Sequence, residues 1–286
     1  MTFFSVVIPT CDRPDMLASC LDSLEPARQL CPVPFEVIVT DDGQRPVASL
    51  VETKYPWAKW TQGPRRGPAS NRNHGARLAI GRWLVFIDDD CTADADCLAS
   101  YDRAIRANPA CRAIEGAIHA DGDCSGDLEE CPVNTEGGLF WSANICVERA
   151  FFHEAGAFDE AYRLAAHEDQ DLFCRLKART CIPFASDARV THPVRTMRLG
   201  KMIADTPKRN EAWIYFAVKN AASLNYATKA DILRAAYMAH LRGGVREAAR
   251  RHPKKLTYHA LMLLAGVPLQ VLVLASAPPL AKTSSV

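Results

Sequence analysis

The 286-residue sequence contains no GxGxxG and no GxxxxGK[ST] stretch. Both absences argue against a dinucleotide-binding fingerprint and a P-loop kinase. Any phosphate bound here draws its counter-charge from a metal or from scattered arginines. There is no CxxC among the 11 cysteines, and their number is odd. Structural zinc uses tight ligand pairs, so most of these thiols read as small buried hydrophobes of a reducing compartment. Net charge is also scarce: 34 basic residues against 33 acidic leave +1. That balance gives no global pull toward nucleic acid, and charge arguments become local. The opening MTFFSVVIPTCDRP has neither a basic n-region nor a small-residue cleavage site, and its short apolar run reads as a first strand. A hydrophobic content of 48% allows a full core, and the length suits one large domain with an appendage.

What is present is an alternation of strands and helices. Phe3 to Pro9 is a β-branched and aromatic run ended by Pro-Thr-Cys-Asp-Arg-Pro. Met16, Leu17, Cys20, Leu21 and Leu24 then recur at helical spacing between Asp15 and Leu24. FEVIVTDDG is a second strand, GPASNRNHGARLAIG a loop leading into a helix, Trp83 to Ile87 a further strand and Asp94 to Asn108 a helix. Near-continuous apolar strands separated by helices predict a mostly parallel sheet covered on both faces, an α/β fold. After Gly137 a glycine turn, an aromatic strand and a helix from Glu148 are expected. In HEDQDLFCRLKA, Leu172, Phe173 and Leu176 form one apolar helix face, and Glu168 and Asp169 fall at its N-terminus, where the helix dipole favours carboxylates.

In parallel sheets ligands collect beyond the carboxyl ends of the strands. Thr10–Arg13, Asp41–Asp42 and Asp88–Asp90 all fall at such ends. Three adjacent carboxylates directly after a buried strand repel one another, and burying them is costly unless something pairs them. A loop that holds a cation accounts for that arrangement.

FSVVIPTCDRPDMLASCLDSL, FEVIVTDDG, ASNRNHGARLAIGRWLVFIDDD, SANICVERAFFHEAGAFDE and HEDQDLFCRL resemble, in order and spacing, the family 2 glycosyltransferases of GT-A fold, over residues 3 to 195. The resemblance implies an inverting transfer of a sugar from a nucleotide-sugar to an acceptor hydroxyl, with Mg²⁺ or Mn²⁺ on the diphosphate. It makes Asp90 the metal-contacting acid of a DxD-type motif, with Asp88 or Asp89 toward ribose and metal waters and His192 as a further metal or phosphate contact. Asp41 and Asp42 resemble the acids that bind nucleobase and ribose, and Pro9, Thr10 and Arg13 the loop framing the base. Cys11 stands where relatives often carry an aromatic residue. Arg65, Arg66 and Arg72 are candidate diphosphate contacts, each equally readable as a surface charge. Asp169 resembles the catalytic base and Glu168 its neighbour. Gly138, Trp141 and Asn144 lie on the stretch that faces the acceptor in the family.

The expected division is a catalytic domain over 1–200, with a donor half to 110 and an acceptor half after it, and a helical extension over 201–286. His240 to Lys255 is strongly basic, and Leu256 to Ala281 has no formally charged residue. Two readings compete for this tail: packing or dimerisation, and docking on an anionic membrane surface. Pro268, Gln270 and Pro278–Pro279 argue against a straight spanning helix. Docking suits a cytoplasmic enzyme on the inner membrane face, acting on a sugar, glycolipid or polysaccharide acceptor. A nucleotidyltransferase and an inactive glycosyltransferase-like binding protein are the rival functions. The first lacks its glycine-rich loop, and the complete acidic set speaks against the second.

Overall fold

The structure is a computed structural model and describes residues 3–280. The chain forms two compact units. One comprises the chain up to Gly122 together with Cys131–Pro193; the other comprises Asp123–Glu130 and the chain from Val194 onward.

The first unit begins with β1 (Phe4–Thr10), α1 (Pro14–Ser23), β2 (Phe35–Asp41), α2 (Ala48–Lys54), β3 (Ala58–Gln62), α3 (Pro68–Leu78) and β4 (Trp83–Ile87). It continues with β5 (Thr92–Ala93), α4 (Cys97–Ala107) and β6 (Ala113–Asp121). After β7 (Glu129–Glu130), which belongs to the second unit, come β8 (Asn144–Glu148), α5 (Arg149–Glu154), α6 (Glu168–Lys177) and β9 (Phe184–Pro193). Every residue of β1 and of β4 is buried. Their side chains alternate between two cores: Phe4, Val6, Ile8, Val85 and Ile87 enter one, and Val7, Leu84 and Phe86 the other. That alternation, with no polar face, is what a sheet covered on both sides requires. α3 lies close enough on the sheet that a Cβ on Gly75 would come within 2.5 Å of Val7 Cγ1, so glycine is needed there.

The sheet order is β3-β2-β1-β4-β8-β6-β9-β5. β3, β2, β1 and β4 run parallel, which brings the carboxyl ends of β1, β2 and β4 to one edge. β8 is antiparallel to both β4 and β6, and β5 to β9, while β6 and β9 are parallel. The sheet is therefore mixed beyond β4. The aromatic strand expected just after Gly137 is a loop instead. Gly137, Gly138 and Phe140 have φ of +83°, +87° and +51°, and left-handed residues cannot sustain a strand. Neighbouring β6 and β9 also bring their entry residues together: Cys111 and Cys181, with Cα atoms 5.3 Å apart, form a disulfide. The other nine cysteines are free thiols: five are buried, three are half-buried and Cys11 is exposed.

The second unit pairs β7 with β10 (Arg195–Thr196) in a short antiparallel ribbon and carries α7 (Leu199–Lys219), α8 (Lys229–Ala249), α9 (Pro253–Leu261) and α10 (Val267–Ser276). A capping box of Thr228 and Asp231 starts α8. α9 and α10 are joined by a π-helical turn, Met262–Gly266, into a continuous helix over 253–276. Pro268 does not break it, because the wider turn just before absorbs the missing N–H and the ring clash. Gln270 is buried and donates to Asn210 Oδ1 at 2.9 Å, so its amide does not oppose the helix either. The helix stops at Ser276, ahead of Pro278–Pro279. It is long and apolar enough to cross a membrane by length and composition, and only 22% of its most apolar window is buried. Leu264 and Leu272 are largely exposed.

Candidate active site

The first unit gathers its acids at the carboxyl edge of the parallel strands. β4 ends at Ile87, and Asp88, Asp89 and Asp90 follow in a turn closed by the Cys91 N–H on the Asp88 carbonyl. Asp89 and Asp90 are buried. Thr10, at the end of β1, donates its hydroxyl to Asp89 at 2.7 Å. Arg13, just before α1, reaches Asp89 at 2.7 Å and Asp90 at 2.8 Å. The loop after β1 and the acid triplet are thus one structure, as their shared strand end predicts.

Arg72 ties this group to the second pair of acids. It projects from α3, is 3% exposed, and donates to Asp88 at 2.6 Å and to Glu168 at 3.0 Å. Burial opposes its charge, and Asp88 and Glu168 more than offset that, so it stays protonated. Burial likewise pushes Asp88 up, but the guanidinium wins and its carboxyl ends below the ordinary range. Arg72 is therefore a buried clamp and presents no open face to a diphosphate. Arg65 donates to the Gly43 carbonyl at 3.0 Å, and Arg66 lies 3.5 Å from Glu160.

α6 begins at Glu168 after His167, which adopts a left-handed conformation. Glu168 is buried, and Asp169 is half-buried beside it. Burial, then the neighbouring Asp169 charge, raises the Glu168 carboxyl against the pull of Arg72. Burial also raises Asp169, less strongly opposed by N–H donation from Ser142 at 3.2 Å and Gln170 at 2.7 Å.

His192, at the end of β9, lies with its Nε2 3.5 Å from Asp90 Oδ1. Its Nδ1 is 2.8 Å from the Pro193 carbonyl, which can only accept. Nδ1 therefore carries the proton, and burial holds the ring neutral. An imidazole lone pair and a carboxylate oxygen then face each other, an arrangement that a cation stabilises. Cys91 completes a compact group with these two residues. Around it, Arg13 pairs with Asp89 and Asp90, and Arg72 with Asp88 and Glu168. The residues fit a divalent ion.

The other expected site residues have mixed placements. Asp41 is buried, and its oxygens accept from the Gly43 and Val47 amides at 2.8 and 2.9 Å; it shapes the loop after β2. Asp42 accepts from the Arg65 amide at 2.8 Å and the Gly67 amide at 3.3 Å. Pro9 is buried within β1, and Cys11 is exposed beside it. Gly138 is exposed and Trp141 half-buried. Asn144, expected toward the acceptor, is fully buried instead. It donates to the Ala117 and Ala188 carbonyls and accepts from the Tyr101 hydroxyl, stitching β8 to its surroundings. Sequence reasoning missed Glu115 and Ser142. Glu115 was visible as the one acid inside the apolar stretch CRAIEGAIHA; a serine engaged through its backbone amide leaves no sequence signal.

Glu168 gives this site a pH signature. Its pKa is about 7 in the folded protein against an ordinary 4.5, so the folded state holds the proton more tightly. Stability should then fall as pH rises across that window. The Glu168→Gln variant should show a flatter dependence of Tm on pH between these values than the wild type. An unchanged slope in thermal scans across the range refutes the assignment.

Residues 5–121 match the family described as Glycosyl transferase family 2. An uncharacterized glycosyltransferase of Haemophilus influenzae is 25% identical over 266 residues, covering 86% of this chain and 87% of that protein. A PGL/p-HBAD biosynthesis glycosyltransferase of Mycobacterium bovis is 27% identical, covering 60% and 69%. Validoxylamine A glucosyltransferase of Streptomyces hygroscopicus is 29% identical, covering 61% and 48%. In fold, the chain resembles S. aureus TarS 1-349 solved with UDP-GlcNAc, with a TM-score of 0.61, 18% identity and 91% of each chain covered. That likeness shows the GT-A fold alone. The strand order, the acid-lined edge and these matches agree: residues 5–121 form a glycosyl transferase family 2 region, in a chain similar over most of its length to a glycosyltransferase.

Proposed function

We propose that this glycosyltransferase is a metal-dependent, inverting enzyme that moves a sugar from a nucleoside-diphosphate donor to an acceptor hydroxyl. The observation that carries the reading is the Arg72 clamp, which fixes Asp88 of the acid triplet and Glu168, next to Asp169, within one buried guanidinium's reach. A donor-side charge centre and an acceptor-side base are the two components a single displacement needs.

In this reading the donor half is framed by Pro9, Thr10, Arg13, Asp41 and Asp42, with Arg65 and Arg66 at its rim. Asp41 and Asp42 set the loop that receives the base and ribose, and Asp89 orders Thr10 and Arg13. Asp90 and His192 would hold Mg²⁺ or Mn²⁺, with Asp88 beside them. When bound, the ion supplies positive charge to the departing diphosphate. Asp169 takes the proton from the acceptor oxygen as that oxygen attacks the anomeric carbon and the bond to the diphosphate breaks. Its raised pKa improves it as a base, and a protonated Glu168 alongside keeps the pair from carrying two charges. Gly138 and Trp141 face the acceptor. That TarS was solved with UDP-GlcNAc and with UDP supports a UDP-sugar as donor.

The acceptor is assigned to surface polysaccharide or glycolipid synthesis, with the enzyme on the inner face of the membrane. The second unit supports this. Arg242, Arg246, Arg250, Arg251 and Lys254 are exposed. Lys255 is instead turned to the Glu129 carbonyl at 2.7 Å. Exposed leucines on the 253–276 helix add an apolar surface. Each basic residue near an anionic surface contributes on the order of 1 kcal/mol, and salt screens it; apolar insertion is not screened.

Three measurements test the reading. Asp169→Asn keeps shape and removes basicity, so transfer should fall ~10²–10⁴-fold while UDP binding persists. Transfer near the wild-type rate excludes Asp169 as the base. Asp90→Ala should abolish Mn²⁺ binding in calorimetry without lowering Tm to the unfolded range; retained Mn²⁺ affinity places the ion elsewhere. The intact protein should co-sediment with phosphatidylserine vesicles, more weakly but measurably at high salt. Protein that stays in the supernatant at low salt returns the tail to packing or dimerisation.

A further inference from the structure

Glu115 lies near the start of β6, is 2% exposed, and has no part in the mechanism above. Both its oxygens are engaged by one loop. Oε1 accepts from Asn134 Nδ2 at 2.7 Å, from the Leu139 amide at 2.8 Å and from the Phe140 amide. Oε2 accepts from the Gly138 amide at 2.6 Å. Asn134 is itself anchored by paired backbone bonds to Ile118, and its Oδ1 accepts from Gly137. Three successive amides thus converge on one carboxylate, a nest that recognises negative charge.

The loop takes a shape it would not hold alone. Gly137, Gly138 and Phe140 are all left-handed, and for Phe140 that conformation is strained. Two contacts then carry the loop's position to α6. The Phe140 ring stacks on Phe173, with centroids 5.4 Å apart. Two residues on, the Ser142 amide donates to Asp169. A glutamine at 115 could not substitute, because its NH₂ would confront amide donors.

We propose that Glu115 is a positioning residue for sugar transfer: by gripping the amides of 138–140 it sets the acceptor-side loop and thereby fixes, through Ser142, the orientation of Asp169. This rests on the reading of Asp169 as the base, and it adds a residue that touches neither donor nor acceptor.

The test combines amide exchange with a double-mutant cycle. In Glu115→Gln, the Ser142 and 138–140 amides should exchange at least about tenfold faster, while the β1 and β4 amides keep their protection. Unchanged protection at Ser142 overturns the proposal, whatever the activity. In turnover of UDP-GlcNAc or UDP-glucose, kcat should fall by up to ~10²-fold with donor KM and UDP affinity retained. In an Asp169→Asn background the same change should cost nothing further, because its effect passes through Asp169. Equal losses in both backgrounds mean general damage and refute the proposal. If Asp169→Asn is itself harmless, the base assignment has failed, and the exchange result alone judges Glu115. Gly138→Ala guards against misfolding of the first variant. A Cβ there meets nothing within 4 Å, so only the left-handed backbone is penalised. It should reproduce the kcat loss and the faster Ser142 exchange; a wild-type result in both readouts counts against the proposal.

Discussion

The Arg72 guanidinium is the interaction on which the site depends. It comes from α3, binds Asp88 at the end of β4 and Glu168 at the start of α6, and is shielded from water on nearly all sides. Removing one partner from a buried pair of this kind costs about 3–5 kcal/mol, because the other charge is left uncompensated. The three elements are thus locked in relative position by a charge requirement that apolar packing alone would not impose. A lysine could not do the same. It offers no planar fork that reaches two carboxylates in fixed directions.

The clamp leaves the site electrically unfinished. Among the described ion pairs, each of two arginines is shared between two carboxylates. Arg72 serves Asp88 and Glu168, and Arg13 serves Asp89 and Asp90. Relief comes in two forms. Glu168 rises in pKa toward neutrality, which eases the repulsion from Asp169. At the other end a neutral imidazole and a carboxylate oxygen converge at 3.5 Å, a pair that a cation would stabilise. In the proposed mechanism, proton transfer and the metal ion would thus occupy separate parts of one edge of the sheet, with Arg72 between them.

A second carboxylate nest organises the opposite wall. Glu115 is buried, and three backbone amides and an asparagine amide surround it. Such hydrogen bonds anchor a carboxyl group firmly and cost less side-chain entropy than a salt bridge to a long side chain. Asp41 is held the same way by the amides of Gly43 and Val47. Several acids of this unit thus shape loops, and the acid triplet with the Glu168–Asp169 pair is left for charge chemistry.

The sequence alone determined the parallel half of the sheet. Runs such as WLVFI have no polar face and can only be buried on both sides, and acids directly after them must gather at one edge. It also marked Asp88–Asp90 and Glu168–Asp169, because residue type and placement at strand and helix ends are local properties; His192 came only with the family resemblance. Tertiary structure decided the rest. Whether an arginine meets a phosphate or a carboxylate depends on residues 16 and 96 positions away, which is why Arg72 read as a possible diphosphate contact and is a buried clamp. Asn144 and Glu115 are polar strand residues whose partners lie on distant segments, two strands and α4 for Asn144 and the loop around 134–140 for Glu115, so their burial was set by tertiary contact rather than by pattern. The antiparallel entry of β8, the disulfide between Cys111 and Cys181 and the unbroken helix across Pro268 have the same origin. Each turns on a contact between distant segments or on a backbone adjustment, and local residue preference encodes neither.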